Sequence, residues 1–117
     1  MSADVSVSSD LRGSTLWISL SGEVDLSNSA AVEDRIRASI VPPAERVALD
    51  LSKVAFMDSS GLRIVLTLAD RLRERRRELI LIVPPGGLVR RVLAISGADA
   101  VVPIVATAAD VPGSELA

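Results

Sequence analysis

The chain predicts an α/β fold: a mixed, largely parallel sheet in the element order ββαβαβαβ(α). Three observations lead there. Short apolar runs of strand length recur at 15–20, 46–51 and 78–83. Amphipathic helical stretches separate the later runs, which calls for right-handed crossovers between parallel strands. Hydrophobic residues make up 49% of the 117 residues, enough for the core of one ordinary domain. Aromatics are only 2%, Trp17 and Phe56, so Val, Leu, Ile and Ala must fill that core.

At the start, Val5 and Val7 alternate with polar residues and Leu11 follows, the pattern of an edge strand. Gly13-Ser14 reads as a turn into a second strand, TLWISL at 15–20, with Leu16, Ile18 and Leu20 on one face. Ser21-Gly22-Glu23-Val24-Asp25 is expected to close this hairpin, and Trp17 to pack in it or in the core. Ser27 and Asn28 are N-caps for a helix reaching about Ile40, with Val32, Ile36 and Ile40 as its inner stripe. Pro42-Pro43 stops that helix, because proline cannot continue the ladder.

The run 46–51 is mostly apolar, as in a strand covered on both faces. The helix after Ser60 places Leu62, Val65, Leu66, Ala69 and Leu72 on one face, and Arg63, Thr67, Asp70, Arg71 and Glu74 on the other. The strand 78–83 follows, and Pro84-Pro85-Gly86-Gly87 breaks the chain. A short helix at 88–96 turns Leu88, Val89, Val92 and Leu93 inward and ends at Gly97. The last strand, 101–105, belongs at an edge because Pro103 lies inside it. Thr107 caps a weak final helix that Pro112-Gly113 frays. No repeat or linker interrupts the chain, so 1–117 reads as one domain, with its core at about 5–105 and frayed ends.

Composition narrows the chemistry. A net charge of −2 opposes direct nucleic-acid binding through phosphate neutralisation. Arg71, Arg73, Arg75, Arg76 and Arg77 alternate with Asp70, Glu74 and Glu78, which describes a solvated helix face. The absence of Cys removes thiolate chemistry, and the absence of His removes Ser-His triads, His-ligated zinc and imidazole catalysis. Neither serine of the central tetrad has a Ser-x-x-Lys partner, so a hydrolase lacks its base. A receiver domain with Asp58 as acceptor would need an acidic pair and a lysine near its last strand, and the only lysine is Lys53. Gly86-Gly87 has no following Gly-Lys-Ser/Thr, so it is a loop and not a phosphate cradle. No catalytic residue, cofactor or metal is therefore expected. The start MSADVSVSSD has no basic n-region or apolar h-region, and no apolar run approaches the roughly 20 residues of a membrane helix. The expectation is a cytoplasmic protein without a membrane span.

The functional signal lies at 54–62, VAFMDSSGL. Here a strand gives way to a helix, and Asp58-Ser59-Ser60-Gly61 sits at the junction. Such a junction offers free backbone N–H groups, a dipole that favours anions, and two hydroxyls. From the residues alone the tetrad could simply be a capping sequence. Asp25 reads as a cap of the first helix or as part of a binding surface, and the sequence leaves both open.

Ser21-Gly22-Glu23-Val24-Asp25, the VALDLS strand, FMDSSGL and PPGGLVRRVLAISG together resemble the STAS domain, and more narrowly the bacterial anti-sigma-factor antagonists. The likeness runs from about Val5 to Val105. It implies a small mixed sheet with helices mainly on one side, and a partner switch without enzyme activity. An unmodified member binds an anti-sigma factor that is also a serine kinase, and so frees the sigma factor. Phosphorylation of a tetrad serine, which maps to Ser59 ahead of Ser60, ends the complex, and a serine phosphatase resets it. Asp25, Asp58, Ser59, Ser60, Gly61 and Leu62 are the implied partner-binding residues. Asp25 and Asp58 make the surface more negative, and Gly61, without a Cβ, would let a partner come close. A phosphate at Ser59 would gain about 0.3–2 kcal/mol from the dipole and the amides near Gly61 and Leu62. A monomer or weak dimer is expected. The competing reading is an unphosphorylated STAS scaffold in a larger transport or stress-signalling complex. Two places depart from the family pattern: Arg75-Arg76-Arg77-Glu78 replaces a glycine turn, and Leu26-Ser27 stands where many relatives carry histidine.

Overall fold

A computed structural model of the chain describes residues 5–42 and 44–113. The expected frayed ends at 1–4 and 114–117, and Pro43 of the predicted helix stop, lie outside them. The strands are β1 (Ser6–Arg12), β2 (Thr15–Val24), β3 (Arg46–Met57), β4 (Glu78–Ile82) and β5 (Ile104–Val105). The helices are α1 (Ser29–Ser39), α2 (Ser59–Glu74) and α3 (Gly87–Ser96), with short 3₁₀ turns at Ala98–Ala100 and Ala108–Asp110. The strands lie side by side in chain order. β1 pairs antiparallel with β2 across the Gly13-Ser14 turn, and every later pairing is parallel. This is the mixed α/β sheet that the element order predicted.

The buried apolar side chains of all three helices join one core with Leu16, Ile18, Leu20, Val47, Leu49, Leu51, Leu79 and Leu81. These strand positions alternate, as a pleated strand requires, so the helices cover one face of the sheet. The opposite face carries a small second core of Ala48, Ile80, Ile82 and Val111, with Trp17 and Val105 against it. Trp17 is half-buried there, under the Arg12 guanidinium at 5.6 Å from the ring centroid.

Several boundaries differ from expectation. β2 does not close at Leu20 but runs through Ser21-Gly22-Glu23 to Val24, since β1 pairs it at Ser6↔Ser21 and β3 as far as Val24↔Met57. β3 continues past Leu51 to Met57 and outruns β4, whose pairing stops at Asp50↔Ile82. On α2 the buried stripe includes Ile64 and Leu68, while Leu62 and Leu66 sit half-buried at its flanks. On α3 only Val89 and Leu93 are fully buried, and Leu88 is exposed. Gly97 ends α3 in the left-handed region at φ 83°, where a Cβ would be strained. β5 is shortened to two residues because a 3₁₀ turn at Ala98–Ala100 and Pro103 occupy the chain before it. The expected final helix is a single 3₁₀ turn, closed by a reciprocal Thr107–Asp110 capping box, after which Val111 packs into the second core.

Candidate functional site

β2 and β3 end together. Val24 and Met57 are in register, and the Asp58 amide donates to the Val24 carbonyl at 3.3 Å. Two loops therefore leave the sheet side by side: 25–28 into α1, and Asp58 into α2.

Asp58 is the N-cap of α2, in extended conformation. Its Oδ1 accepts from the Ser60 amide at 2.9 Å, from the Gly61 amide at 3.3 Å, and from the Ser60 hydroxyl. The Leu62 amide is taken by the Asp58 carbonyl at 3.0 Å. The two serines are thereby separated. Ser60 is half-buried with its hydroxyl committed to Asp58, whereas Ser59 is exposed and its hydroxyl bonds to no described residue. The Ser60 hydroxyl, helped by the amides of Ser60, Gly61 and Leu26, holds the Asp58 carboxyl below the ordinary aspartate value, against the opposing effect of burial.

This geometry corrects two expectations. The amides of Gly61 and Leu62 are not free for a phosphate on Ser59, since Asp58 uses both. The helix dipole remains as the local stabilising influence. Gly61 does not open a path for a partner either. It is buried, and a Cβ there would meet Met57 Cγ at 2.6 Å and Val24 Cγ1 at 3.1 Å. The missing Cβ lets α2 start hard against the ends of β2 and β3.

The 25–28 loop repeats the Asp58 arrangement. Asp25 Oδ1 accepts from the Ser27 amide at 2.9 Å and from the Ser27 hydroxyl. Its carbonyl accepts from the amides of Asn28 and Ser29. Asp25 thus organises the turn before α1, while Asn28 is the N-cap. Asn28 does not cap with its side chain. Its Oδ1 accepts from the Asp25 amide and its Nδ2 donates to the Glu23 carbonyl. Leu26, at the tip, is 81% exposed. The sequence reading missed this twin Asp-x-Ser turn, although its signal was present as Asp25-Leu26-Ser27 and Asp58-Ser59-Ser60.

Of the six residues predicted for the surface, Asp25, Asp58, Ser59 and Ser60 gather at the paired strand ends, Gly61 lies beneath them, and Leu62 is half-buried beside them. A surface cavity of about 440 Å³, lined by Arg37, Arg71, Arg75 and Arg77 with Glu74, Leu68 and Leu72, lies toward the far end of α2 and takes no part in the site. Among the described residues no helix is long and apolar enough to cross a membrane.

The STAS domain family model matches residues 6–111. BtrV of Bordetella bronchiseptica, named as a candidate anti-sigma factor antagonist, is 36% identical over 86 residues, covering 73% of this chain and 72% of its own. The anti-sigma-F factor antagonist RsfB of Mycobacterium tuberculosis is 29% identical, covering 70% of this chain and 66% of its own. The crystal structure of an anti-sigma factor antagonist from Mycobacterium paratuberculosis superposes with a TM-score of 0.80 at 25% identity, over 94% of both chains. The antagonist SpoIIAA in its unphosphorylated form shares the fold, with a TM-score of 0.74 at 22% identity over 96% of this chain and 98% of that one. With its mixed sheet, its one-sided helices and the Asp-Ser-Ser-Gly junction in place, the chain belongs to the STAS domain family.

Proposed function

We propose that the chain acts as an anti-sigma-factor antagonist, a binding module without catalysis of its own, switched by phosphorylation of Ser59. The observation that carries the choice of residue is the separation of the two serines. Ser59 presents an exposed hydroxyl without a partner among the described residues, while Ser60 is tied to Asp58. The kinase is then the anti-sigma factor itself. The Ser59 Oγ attacks the γ-phosphorus of ATP held by that partner, ADP leaves, and the hydroxyl proton passes to a base of the kinase.

The product adds about −1.5 to −2 charge to a surface that already holds Asp25 and Asp58. The phosphate needs no refolding, because its serine points outward from a junction whose internal hydrogen bonds it leaves intact. SpoIIAA is known in both its unphosphorylated and its phosphorylated form, and the fold is shared with both. A serine phosphatase would reset the switch, and the unmodified protein, a monomer or weak dimer in the cytoplasm, would bind again.

The test is incubation with ATP and the anti-sigma-factor kinases of the host, followed by intact-mass and peptide mass spectrometry. One added phosphate, on Ser59 and absent from Ser59→Ala, is expected. Modification of Ser60 instead would overturn the assignment. No modification by any such kinase would leave the unphosphorylated scaffold as the better reading.

A further inference from the structure

We infer that Leu26 is the apolar anchor by which the anti-sigma factor grips the face around Ser59. This rests on the reading of that face as the partner surface, and adds to it a residue whose contribution is independent of charge.

Exposure alone does not carry the inference. Single exposed leucines are ordinary, and Ile95 on α3 is 80% exposed against 81% for Leu26. The setting of Leu26 is what differs. Its loop is braced on both sides by the Asp25 amide on Asn28 Oδ1 at 3.0 Å, the Ser27 amide on Asp25 Oδ1 at 2.9 Å, and Asn28 Nδ2 on the Glu23 carbonyl at 2.8 Å. The backbone that presents the side chain is therefore fixed before any partner arrives, and little ordering entropy opposes docking.

Its position is the second point. The register Val24↔Met57 and the bond from the Asp58 amide to the Val24 carbonyl bring the 25–28 loop alongside the start of α2. Leu26 follows Val24 by two residues, as Ser59 follows Met57, and the Leu26 amide bonds the Asp58 carboxylate, which ties the loop that carries Leu26 to the cap beside Ser59.

The third point is what remains to be satisfied there. One oxygen of each neighbouring carboxylate, in Asp25 and Asp58, already accepts from its own Asp-x-Ser turn, and the Ser60 hydroxyl is spent on Asp58. Leu26 keeps most of its apolar surface in water, and that surface is released by burial in a partner. An apolar pocket on the anti-sigma factor is then required to receive Leu26. Affinity then resides in Leu26 and the switch in Ser59.

The experiment measures the affinity of the full chain for the anti-sigma-factor kinase by calorimetry, with KM and kcat for Ser59 phosphorylation and a thermal melt of each variant. Leu26→Ala should weaken binding about 10- to 100-fold, the range of a central contact residue. KM should rise in parallel, kcat should stay within about twofold, and the melt should not move, since so exposed a side chain adds little to stability. Leu26→Met should restore most of the affinity, and Ile95→Ala should leave it unchanged. Binding by Leu26→Ala within about twofold of the parent, or equal weakening by Ile95→Ala, overturns the anchor while the switch stands. A parent chain that neither binds such a kinase nor accepts phosphate on Ser59 overturns both.

Discussion

Asp58 Oδ1 holds the Ser60 hydroxyl and two amides, and this leaves Ser59 as the free hydroxyl of the pair. The two serines should then answer substitution differently. Ser60→Ala removes a charge-assisted bond and should destabilise the chain by about 0.5–1.5 kcal/mol while leaving Ser59 open to modification. Ser59→Ala should change stability by less than about 0.5 kcal/mol and abolish phosphate uptake. Urea melts and mass spectrometry of both variants check this; equal destabilisation would contradict the hydrogen-bond assignment. Asp58 also predicts an acid limb. The fold holds its carboxyl below the ordinary value, so the stabilisation is complete above that value, about 3.9, and is lost as pH falls through the lower folded value. Asn caps nearly as well and does not titrate. Asp58→Asn should therefore be less stable than the parent at pH 7, by about 0.3–1 kcal/mol, and lose less stability than the parent as pH falls below about 4. Parallel losses in the two proteins would show that Asp58 is not the titrating cap.

At the scale of elements, the start of α2 depends on a glycine that helix propensity would replace. Gly61→Ala gains up to about 1 kcal/mol of helix propensity but inserts a methyl group into Met57 and Val24, an overpacking that typically costs about 1–3 kcal/mol. The contact with Met57 falls on Cγ, close to its backbone, where the side chain has little freedom to move aside. Net destabilisation is expected, with partial rescue by adding Met57→Ala; a double-mutant cycle measures the coupling, and a stabilising Gly61→Ala would refute the contact. The sequence disclosed the tetrad but not this contact, because nothing local marks which strand ends a helix will meet. The same limit explains the strand errors. Ser21-Gly22-Glu23 breaks the apolar alternation, so β2 looked finished, yet its ladder to β1 and β3 continues through backbone groups that side-chain pattern does not register. On α2 the apolar residues Leu62, Ile64, Val65, Leu66, Leu68, Ala69 and Leu72 cover too wide an arc for periodicity to choose the buried stripe, and the sheet makes that choice. Element order and the Gly97 stop were legible because each rests on local chemistry: apolar runs, proline breaks and a left-handed glycine.

Across the whole molecule, charge is laid out along α2. Its 16 residues span about 24 Å, with Asp25 and Asp58 gathered at its start and a cavity where Arg37, Arg71, Arg75 and Arg77 outnumber Glu74 toward its end. Phosphate on Ser59 would carry the net charge from −2 to about −3.5 or −4 and place all of the change at the acidic end. If the switch works by local repulsion, salt should blunt it, because the screening length falls from about 10 Å at 0.1 M to about 3 Å at 1 M. An apolar contact is not screened in this way. The affinity lost in Ser59→Asp should therefore shrink as salt rises from 0.1 M to 1 M, whereas the loss in Leu26→Ala should hold or grow. Neither substitution should shift the melting temperature by more than a degree or two, since both side chains lie outside the core. Titrating both variants against the anti-sigma-factor kinase across that salt range separates the two contributions. A Ser59→Asp defect that ignored salt would mean that the added group acts by shape, and the electrostatic account of the switch would have to be abandoned.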